Sequence, residues 1–420
     1  MKVLVLGAGV VGLTTAWALT EAGCDVVIVD RNAEAGGDAS PGNGAQLSYN
    51  FVAPFASPET LRHMPGLLLQ RDGPVRMRPG FDWEFLRWGM AFLRNCTSGA
   101  VARTTVAQLG LAALSRNEME RLTGALPLEF GLRVAGKLVV HREKGAFAAA
   151  RRQVERQVGV SAPQEILSAH ECLALEPGLR IPEAALAGGI YTAADQVGDC
   201  AAFCRDLAAV LRGRNTVEWR LGAPCVPEIR AGRMVGVRVG HEVIEGDETV
   251  LCLGAGAARF ARAAGVRLPI VPMKGYSLTV TPRTGLSHSV TDAARKIVFA
   301  PLSSPGQEGR VRVAGIADFV GHDRALDPAR VGLMVRAADE TLDLEAGGAG
   351  GAWTGLRPVT PDSRPLIGAS GLPGLVLNTG HGGLGWTLAA GSARLVVDLM
   401  MGREMTVETG VEAGAFALDR

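Results

Sequence analysis

Gly7, Gly9 and Gly12 form a Gly-x-Gly-x-x-Gly spacing directly after the apolar run Val3-Leu-Val-Leu6. The first glycine allows a tight turn and the second lets a pyrophosphate reach the backbone. The third lets a helix pack closely on a strand. A helix opening at Val10 and Val11 would add unpaired N–H groups and partial positive charge for the phosphates. Asp30, followed by Arg31, ends the next apolar run, where a carboxylate can accept from ribose hydroxyls. Strand, turn, helix and acid together predict dinucleotide binding but do not choose between NAD and FAD.

A second glycine turn, Asn378-Thr-Gly-His381-Gly382-Gly383-Leu384-Gly-Trp386, precedes an apolar helical run. It would aim another helix N-terminus into a cavity, where the positive end can hold negative charge on a reduced flavin. A nicotinamide ring becomes neutral on reduction and has no such need. The dipole contributes only about 0.3–1 kcal/mol when exposed and up to ~2 when partly buried, enough to bias a redox potential. FAD is therefore the preferred dinucleotide.

Two further groups face this chemistry. Arg357, in Trp353-Thr-Gly355-Leu-Arg357-Pro-Val-Thr-Pro-Asp362, lies beside a proline in what reads as a constrained turn, and its planar fork can grip a carboxylate through two hydrogen bonds. A structural ion pair explains it equally well on this segment alone. Tyr276, in Lys274-Gly-Tyr276-Ser, follows a glycine on an expected cavity strand; a buried tyrosine with a satisfied hydroxyl is the plainer reading. Leu61 to Arg78 mixes Met64 and Leu67 to Leu69 with basic residues, which suits either an anionic membrane surface or a solvated loop. No Ser/His/Asp set and no metal site emerges.

The elements that must position these groups follow from the apolar runs. Val3–Leu6, a helix to about residue 22 and Val26–Val29 make one βαβ unit. Residues 60 to 125 read mostly as helix, 137 to 141 as a strand, and 145 to 157 as an arginine-rich helix. Short strands between 217 and 253 suggest a meander feeding back into the main sheet. A long strand covers 267 to 280, another covers 310 to 316, and residues 329 to 345 read as helix. The chain closes with a strand at 374–378 and a helix at 384–400. The fold class is α/β with an α+β second domain. Residues 1–50, 195–267 and 352–420 are expected to form a Rossmann-like cofactor domain, and 51–194 with 268–351 an inserted antiparallel-sheet domain for substrate.

Composition narrows the function. Forty-three basic against 42 acidic side chains leave a net charge of +1, which argues against nucleic acid as a partner. Glycine is 55 of 420 residues, about twice the usual share, as suits backbone that approaches a ligand closely. Seven scattered cysteines without a CxxC pair favour a reducing compartment over a disulfide framework. The apolar N-terminus reads as strand, turn and helix rather than as a signal peptide or membrane span.

On these residues, with Gly44-Ala-Gln46-Leu47-Ser48, Ala53-Pro54, Leu93-Arg-Asn-Cys96, Gly198-Asp-Cys200 and Pro272-Met-Lys-Gly-Tyr276, the chain resembles the bacterial FAD-dependent D-amino acid dehydrogenases. These lie within the D-amino acid oxidase and glycine oxidase superfamily, and the likeness runs nearly full length. The resemblance implies a D-amino acid oxidase-like fold and oxidative deamination of a D-amino acid, with Arg357 on the substrate carboxylate. Tyr276 would assist at that group, and His381 would sit in the catalytic turn. Tyr49 and Phe51 would border the substrate, with Phe51 replacing a family tyrosine. Ser40, Asn43, Gly44, Gln46 and Leu47 would lie along the flavin, Val226 at the adenine, and Gly254 and Gly256 at a second dinucleotide turn. Gly382, Gly383 and Leu384 would face the flavin.

Where sarcosine oxidases carry the cysteine that bonds flavin, this chain has Gly355, which implies non-covalent FAD. Leu384 replaces a lysine of those oxidases, and losing that charge favours a quinone or other electron carrier over oxygen. The resemblance places the protein in the cytoplasm, with peripheral contact to the inner face of the plasma membrane as a further expectation. A D-hydroxyproline, proline-like or N-methyl amine dehydrogenase of the same fold stays open, as does a flavin-binding assembly subunit. The oligomeric state is not set by the sequence.

Overall fold

The computed structural model describes residues 1–50, 54–69, 73–77, 82–156, 162–403 and 411–420. A six-stranded sheet organises the cofactor half. In spatial order its strands are Val217–Leu221, Asp25–Asp30, Lys2–Leu6, Glu248–Leu251, Leu375–Thr379 and Leu366–Ala369. All neighbours are parallel except the last pair. Val3 to Leu6 are fully buried, as an all-apolar strand covered on both faces must be. Each such side chain contributes roughly 1.5–3 kcal/mol of burial.

The helices Val10–Glu21, Cys200–Arg212 and Gly385–Met400 cover one face of this sheet. The three-stranded meander Cys225–Arg230, Arg233–Val239 and Glu242–Glu245 covers the other with helix Ala257–Ala263. Helix Ser98–Ala125, expected in the second domain, instead packs against Gly385–Met400 within this core. Their approach is close enough that a Cβ at Gly391 would lie 2.7 Å from the Ser115 amide nitrogen.

The second sheet has nine strands and is mixed rather than purely antiparallel. Leu344–Val359 is its edge, followed by Val271–Pro282, Val311–Phe319, Ile297–Pro301, Ser289–Asp292, Lys137–His141, Gly188–Thr192 and Glu165–Leu167, with Val75–Met77 beside Val311–Phe319. The pairings of Ser289–Asp292 with Lys137–His141 and of Val75–Met77 with Val311–Phe319 are parallel. Helices Ala169–Leu175 and Pro328–Leu342 back this sheet. The edge strand runs through the expected domain boundary at 351–352, so Trp353, Gly355 and Arg357 stand on a strand and not in a turn.

Candidate active site

A cavity of about 1140 Å³ lies between the two sheets. Its floor is the carboxyl ends of the parallel strands, the usual ligand position in such sheets. Gly7 follows the first strand, Asp30 ends the second, and Cys252 to Gly256 follow the fourth. Gly7 has φ +108°, and a Cβ there would lie 2.5 Å from the Cys252 carbonyl oxygen. Gly12 lies under the helix start and off the cavity wall, where a Cβ would lie 1.8 Å from the Gly7 carbonyl oxygen. Gly9, Val10 and Val11 line the cavity, and Val10 N–H donates to Ser40 Oγ at 3.0 Å. The Val11 amide remains a first-turn donor without an intrahelical acceptor. Asp30 pins the turn by accepting from Ala8 N–H at 2.7 Å.

The loop after Asp30 closes the cavity. Arg31 pairs with Asp38 at 2.6 Å, and Arg324 reaches the same carboxylate from the second sheet's side at 2.8 Å. Asn43, Gly44 and Gln46 line the wall. Gln46 is hydrogen-bonded to Ser289, and Arg312 donates to the Pro41 and Asn43 carbonyls at 2.7 and 3.1 Å. Extended backbone alternates its side chains, so Gln46 and Ser48 face the cavity while Leu47 and Tyr49 face the helical core. Tyr49 is therefore not a substrate-bordering residue: its ring is 3% exposed and packed in that core. Phe51 lies outside the described residues.

Val226 lies at the cavity mouth, half exposed, opposite Gly254 and Gly256. At the far side Gly382, Gly383 and Leu384 form a single turn ahead of helix Gly385–Met400, with Gly382 at φ +56°. His381 is buried and shares a hydrogen bond with Ser392 Oγ at 3.1 Å. Burial lowers its imidazole to about 3. A neutral ring tied to its own helix suits holding the turn rather than carrying protons.

Arg357 projects from the edge strand into the cavity. Its guanidinium lies over Gly275 on the neighbouring strand: a Cβ there would sit 2.6 Å from Cζ and Nη2. Among the described residues no acid faces it, and desolvation lowers its pKa from the usual value while leaving it charged. A desolvated cation held without a counterion calls for an anionic ligand. Trp353, two residues up the same strand face from Gly355, fills the space over two glycines. A Cβ at Gly355 or at Gly42 would lie 1.8 Å from its ring. Tyr276 forms part of the wall, but its hydroxyl donates to buried Asp318 at 2.8 Å. Asp318 also pairs with Arg76 at 2.6 Å and Arg330 at 2.9 Å. The phenol proton is thus turned away from the anion that Arg357 would hold.

Lys137, Ser48, Arg312, Arg324 and Trp353 also line or brace the cavity, beyond the residues expected from the sequence. A lysine ahead of the apolar run Leu138-Val-Val140 in the strand Lys137–His141 is the one visible signal. The others depend on contacts between distant segments.

The cavity fits FAD. It joins the glycine turn and helix start at Gly7 to Val11 at one end to a second helix start at the other, and its close backbone approaches leave no room for side chains at Gly7 and Gly12. The comparisons agree. A family model described as DAO, FAD dependent oxidoreductase, matches residues 2–399. The chain is 41% identical to D-amino acid dehydrogenase 2 of Ralstonia nicotianae over 100% of both chains. It is 40% identical to D-amino acid dehydrogenase 2 of Pseudomonas aeruginosa over 97% of each. Glycine oxidase from Geobacillus kaustophilus has a similar fold, with TM-score 0.73, 20% identity and coverage of 100% of this chain and 99% of that one. With residues 2–399 matched and full-length identity near two-fifths, the chain belongs to the DAO family of FAD dependent oxidoreductases, among the D-amino acid dehydrogenases.

Proposed function

We propose that this enzyme oxidises a D-amino acid to the 2-oxo acid and ammonia, and passes the electrons to a quinone or other carrier rather than to oxygen. The observation that carries the reading is Arg357, a desolvated cation over Gly275 with no acid facing it among the described residues. Arg357 binds the carboxylate in a bidentate grip, and orientation supplies much of the rate. Bound FAD supplies the hydride acceptor for the substrate α-carbon.

The turn from Gly7 to Val11 would hold the pyrophosphate, Asp30 and Arg31 the adenosine side with Val226, Gly254 and Gly256, and Ser40 to Gln46 with Gly382 to Leu384 the ring. Gly355 has no thiol to bond it, which supports non-covalent attachment. The amine must be neutral to release hydride, but no side chain has to remove the α-proton. His381, neutral and tied to Ser392, is accordingly a positioning residue. Tyr276 shapes the wall through its ring. The imino acid hydrolyses in water after release.

The carrier reading is supported by Leu384, which puts an apolar side chain at the start of the closing helix. A peripheral membrane site is supported by helix Trp83–Asn95. Trp83, Leu86, Met90 and Leu93 are exposed along it, beside exposed Arg87 and Arg94. An apolar stripe edged by arginines complements an anionic bilayer surface. Of the segment 61–78, Leu61 and Arg62 are exposed on helix Pro58–Leu69, while Arg71 and Arg78 lie outside the described residues. Among the described residues no helix is long and apolar enough to cross a membrane.

Anaerobic mixing of the holoenzyme with D-alanine, L-alanine, D-proline and cis-4-hydroxy-D-proline tests the reading. Flavin bleaching by D-alanine that reverses faster with a quinone analogue than with air is expected. Bleaching by the cyclic imino acids alone moves the substrate to that class. No bleaching by any of them refutes the role given to Arg357.

A further inference from the structure

The strand Lys137–His141 is buried along its whole length. Leu138 and Val140 point into the core behind the nine-stranded sheet. Strand alternation turns Lys137 the opposite way, onto the cavity wall, where it is 5% exposed. Burying an ammonium is costly unless its charge is used or compensated. Neither the dinucleotide turns nor the carboxylate site includes it. In the sheet, four strands separate the strand of Lys137 from that of Arg357, a spacing of roughly 20–25 Å. The two cations therefore rise from separate parts of the cavity wall.

Hydrogen bonds show which end of the cavity Lys137 serves. Its Nζ donates to Ser48 Oγ at 2.9 Å. Ser48 N–H in turn donates to Thr387 Oγ1 at 3.3 Å, in the first turn of helix Gly385–Met400. The lysine and the positive end of that helix thus converge on one region, lined also by Gln46, Thr291 and Trp386. Two independent sources of positive charge at one end of a flavin cavity make that end suited to negative charge.

We propose that Lys137 is the side-chain cation that stabilises negative charge on the reduced flavin ring, and so raises the reduction potential of the bound cofactor. The hydride from the substrate brings two electrons and one proton to the ring, which keeps one net negative charge. The protonated lysine balances that charge in place of a second proton. Asp195 acts on the Lys137 ammonium, and its carboxylate accepts from Asn50 and also feels Arg116. The phenols of Tyr49 and Tyr191 lie away from the ammonium, in the helical core and against the core behind the sheet. Burial lowers Lys137 to about 8, against the opposing pull of Asp195. The cation is therefore present at neutral pH and lost above it.

The test is the midpoint potential of the holoenzyme, measured by dye equilibration without substrate. Lys137→Met is expected to lower the reduction equilibrium at least about tenfold at pH 7, which is about 30 mV for a two-electron couple. Lys137→Arg is expected to keep the wild-type potential, and the gap between Lys137→Met and wild type is expected to close above pH 8. Ser48→Ala cuts the tie but leaves the charge, so it is expected to move the potential less than Lys137→Met. A flavin-loaded Lys137→Met protein with the wild-type potential overturns the proposal, as does a larger shift in Ser48→Ala. Should Lys137→Met not retain FAD, the wild-type potential against pH decides, and a profile without an inflection near 8 overturns the proposal. Because no substrate is used, failure here leaves the D-amino acid reading untouched; that reading fails separately, through absence of bleaching.

Discussion

Gly275 pairs with Gly355 between Val271–Pro282 and Leu344–Val359, Arg357 stands opposite Met273 and reaches diagonally across, and the missing side chain at Gly275 is what lets the guanidinium lie against the strand. Replacing it with alanine puts a methyl 2.6 Å from Cζ and Nη2. Relaxed carbon contacts need about 3.5–4.0 Å, so the guanidinium must move by roughly 1 Å. The backbone at Gly275 is not in the left-handed region, and the obstacle is the end of a flexible side chain, so the fold is expected to tolerate the change. Gly→Ala at a compatible site even adds about 0.4–1 kcal/mol through the unfolded chain. The consequence falls on catalysis. A 1 Å misplacement of a positioning group costs on the order of 10²-fold, or about 2.7 kcal/mol. Gly275→Ala is thus expected to lower kcat/KM for D-alanine about 10- to 100-fold, with FAD content and Tm preserved. In the Arg357→Ala background the same change is expected to add little, because the two act through one group. D-Alaninamide, which lacks the carboxylate, is expected to lose far less. A Gly275→Ala enzyme with wild-type kcat/KM would refute the assignment of Arg357 to the substrate carboxylate.

The other predictions follow from the same geometry. Gly9→Ala leaves φ unstrained and places its methyl 3.4 Å from Ser40 Oγ. It is expected to keep the fold but weaken FAD binding at least about tenfold by flavin fluorescence titration, since the methyl stands where pyrophosphate approaches. Gly7→Ala, with φ +108° and a carbonyl at 2.5 Å, is expected to lose stability and FAD together in thermal melts. Tyr276→Phe removes a buried hydrogen bond to a carboxylate and is expected to cost about 1.5–3 kcal/mol in urea unfolding, while KM stays within about threefold; a large rise in KM would return the hydroxyl to the substrate. His381 is held near 3 against an unfolded value near 6.5, so the unfolded chain binds its proton first as pH falls. Stability is expected to decline between pH 6.5 and 3 by up to roughly 1.4 kcal/mol per unit from this residue, a slope that His381→Gln removes in denaturant titrations. Met90→Glu and Leu93→Glu are expected to cut cosedimentation with phosphatidylglycerol vesicles about tenfold or more, as full burial of each side chain contributes roughly 1.5–3 kcal/mol.

What was legible in the sequence follows from which interactions are local. The turn from Gly7 to Gly12 and the acid at Asp30 are set within one βαβ unit, where spacing alone places the glycines and the carboxylate. The strand that carries Trp353, Gly355 and Arg357 was not legible as a strand. Its first half is Leu-Glu-Ala-Gly-Gly-Ala-Gly-Gly, a composition with low β-propensity, and pairing with the apolar strand Val271–Pro282 is what extends it. Tertiary context also decided the two tyrosines. Tyr49 misses the cavity because the phase of a two-residue strand assigns Gln46 and Ser48 to it, and that phase is set by pairing with Gln196–Val197. Tyr276 reaches the cavity, but Asp318, 42 residues away, accepts its hydrogen bond. Helix Ser98–Ala125 joined the cofactor core for a similar reason: Gly391 lets it approach the closing helix backbone to backbone, a fit invisible to either sequence alone. The same dependence on distant contacts shapes the site itself. Gly42 on the cofactor loop and Gly355 on the substrate sheet are both emptied for one indole, and Arg312 holds that loop by two carbonyls. The loop from Ser40 to Gln46 is therefore positioned by the substrate sheet as well as by its own domain, so changes at Trp353 or Arg312 should reach cofactor retention and carboxylate binding together.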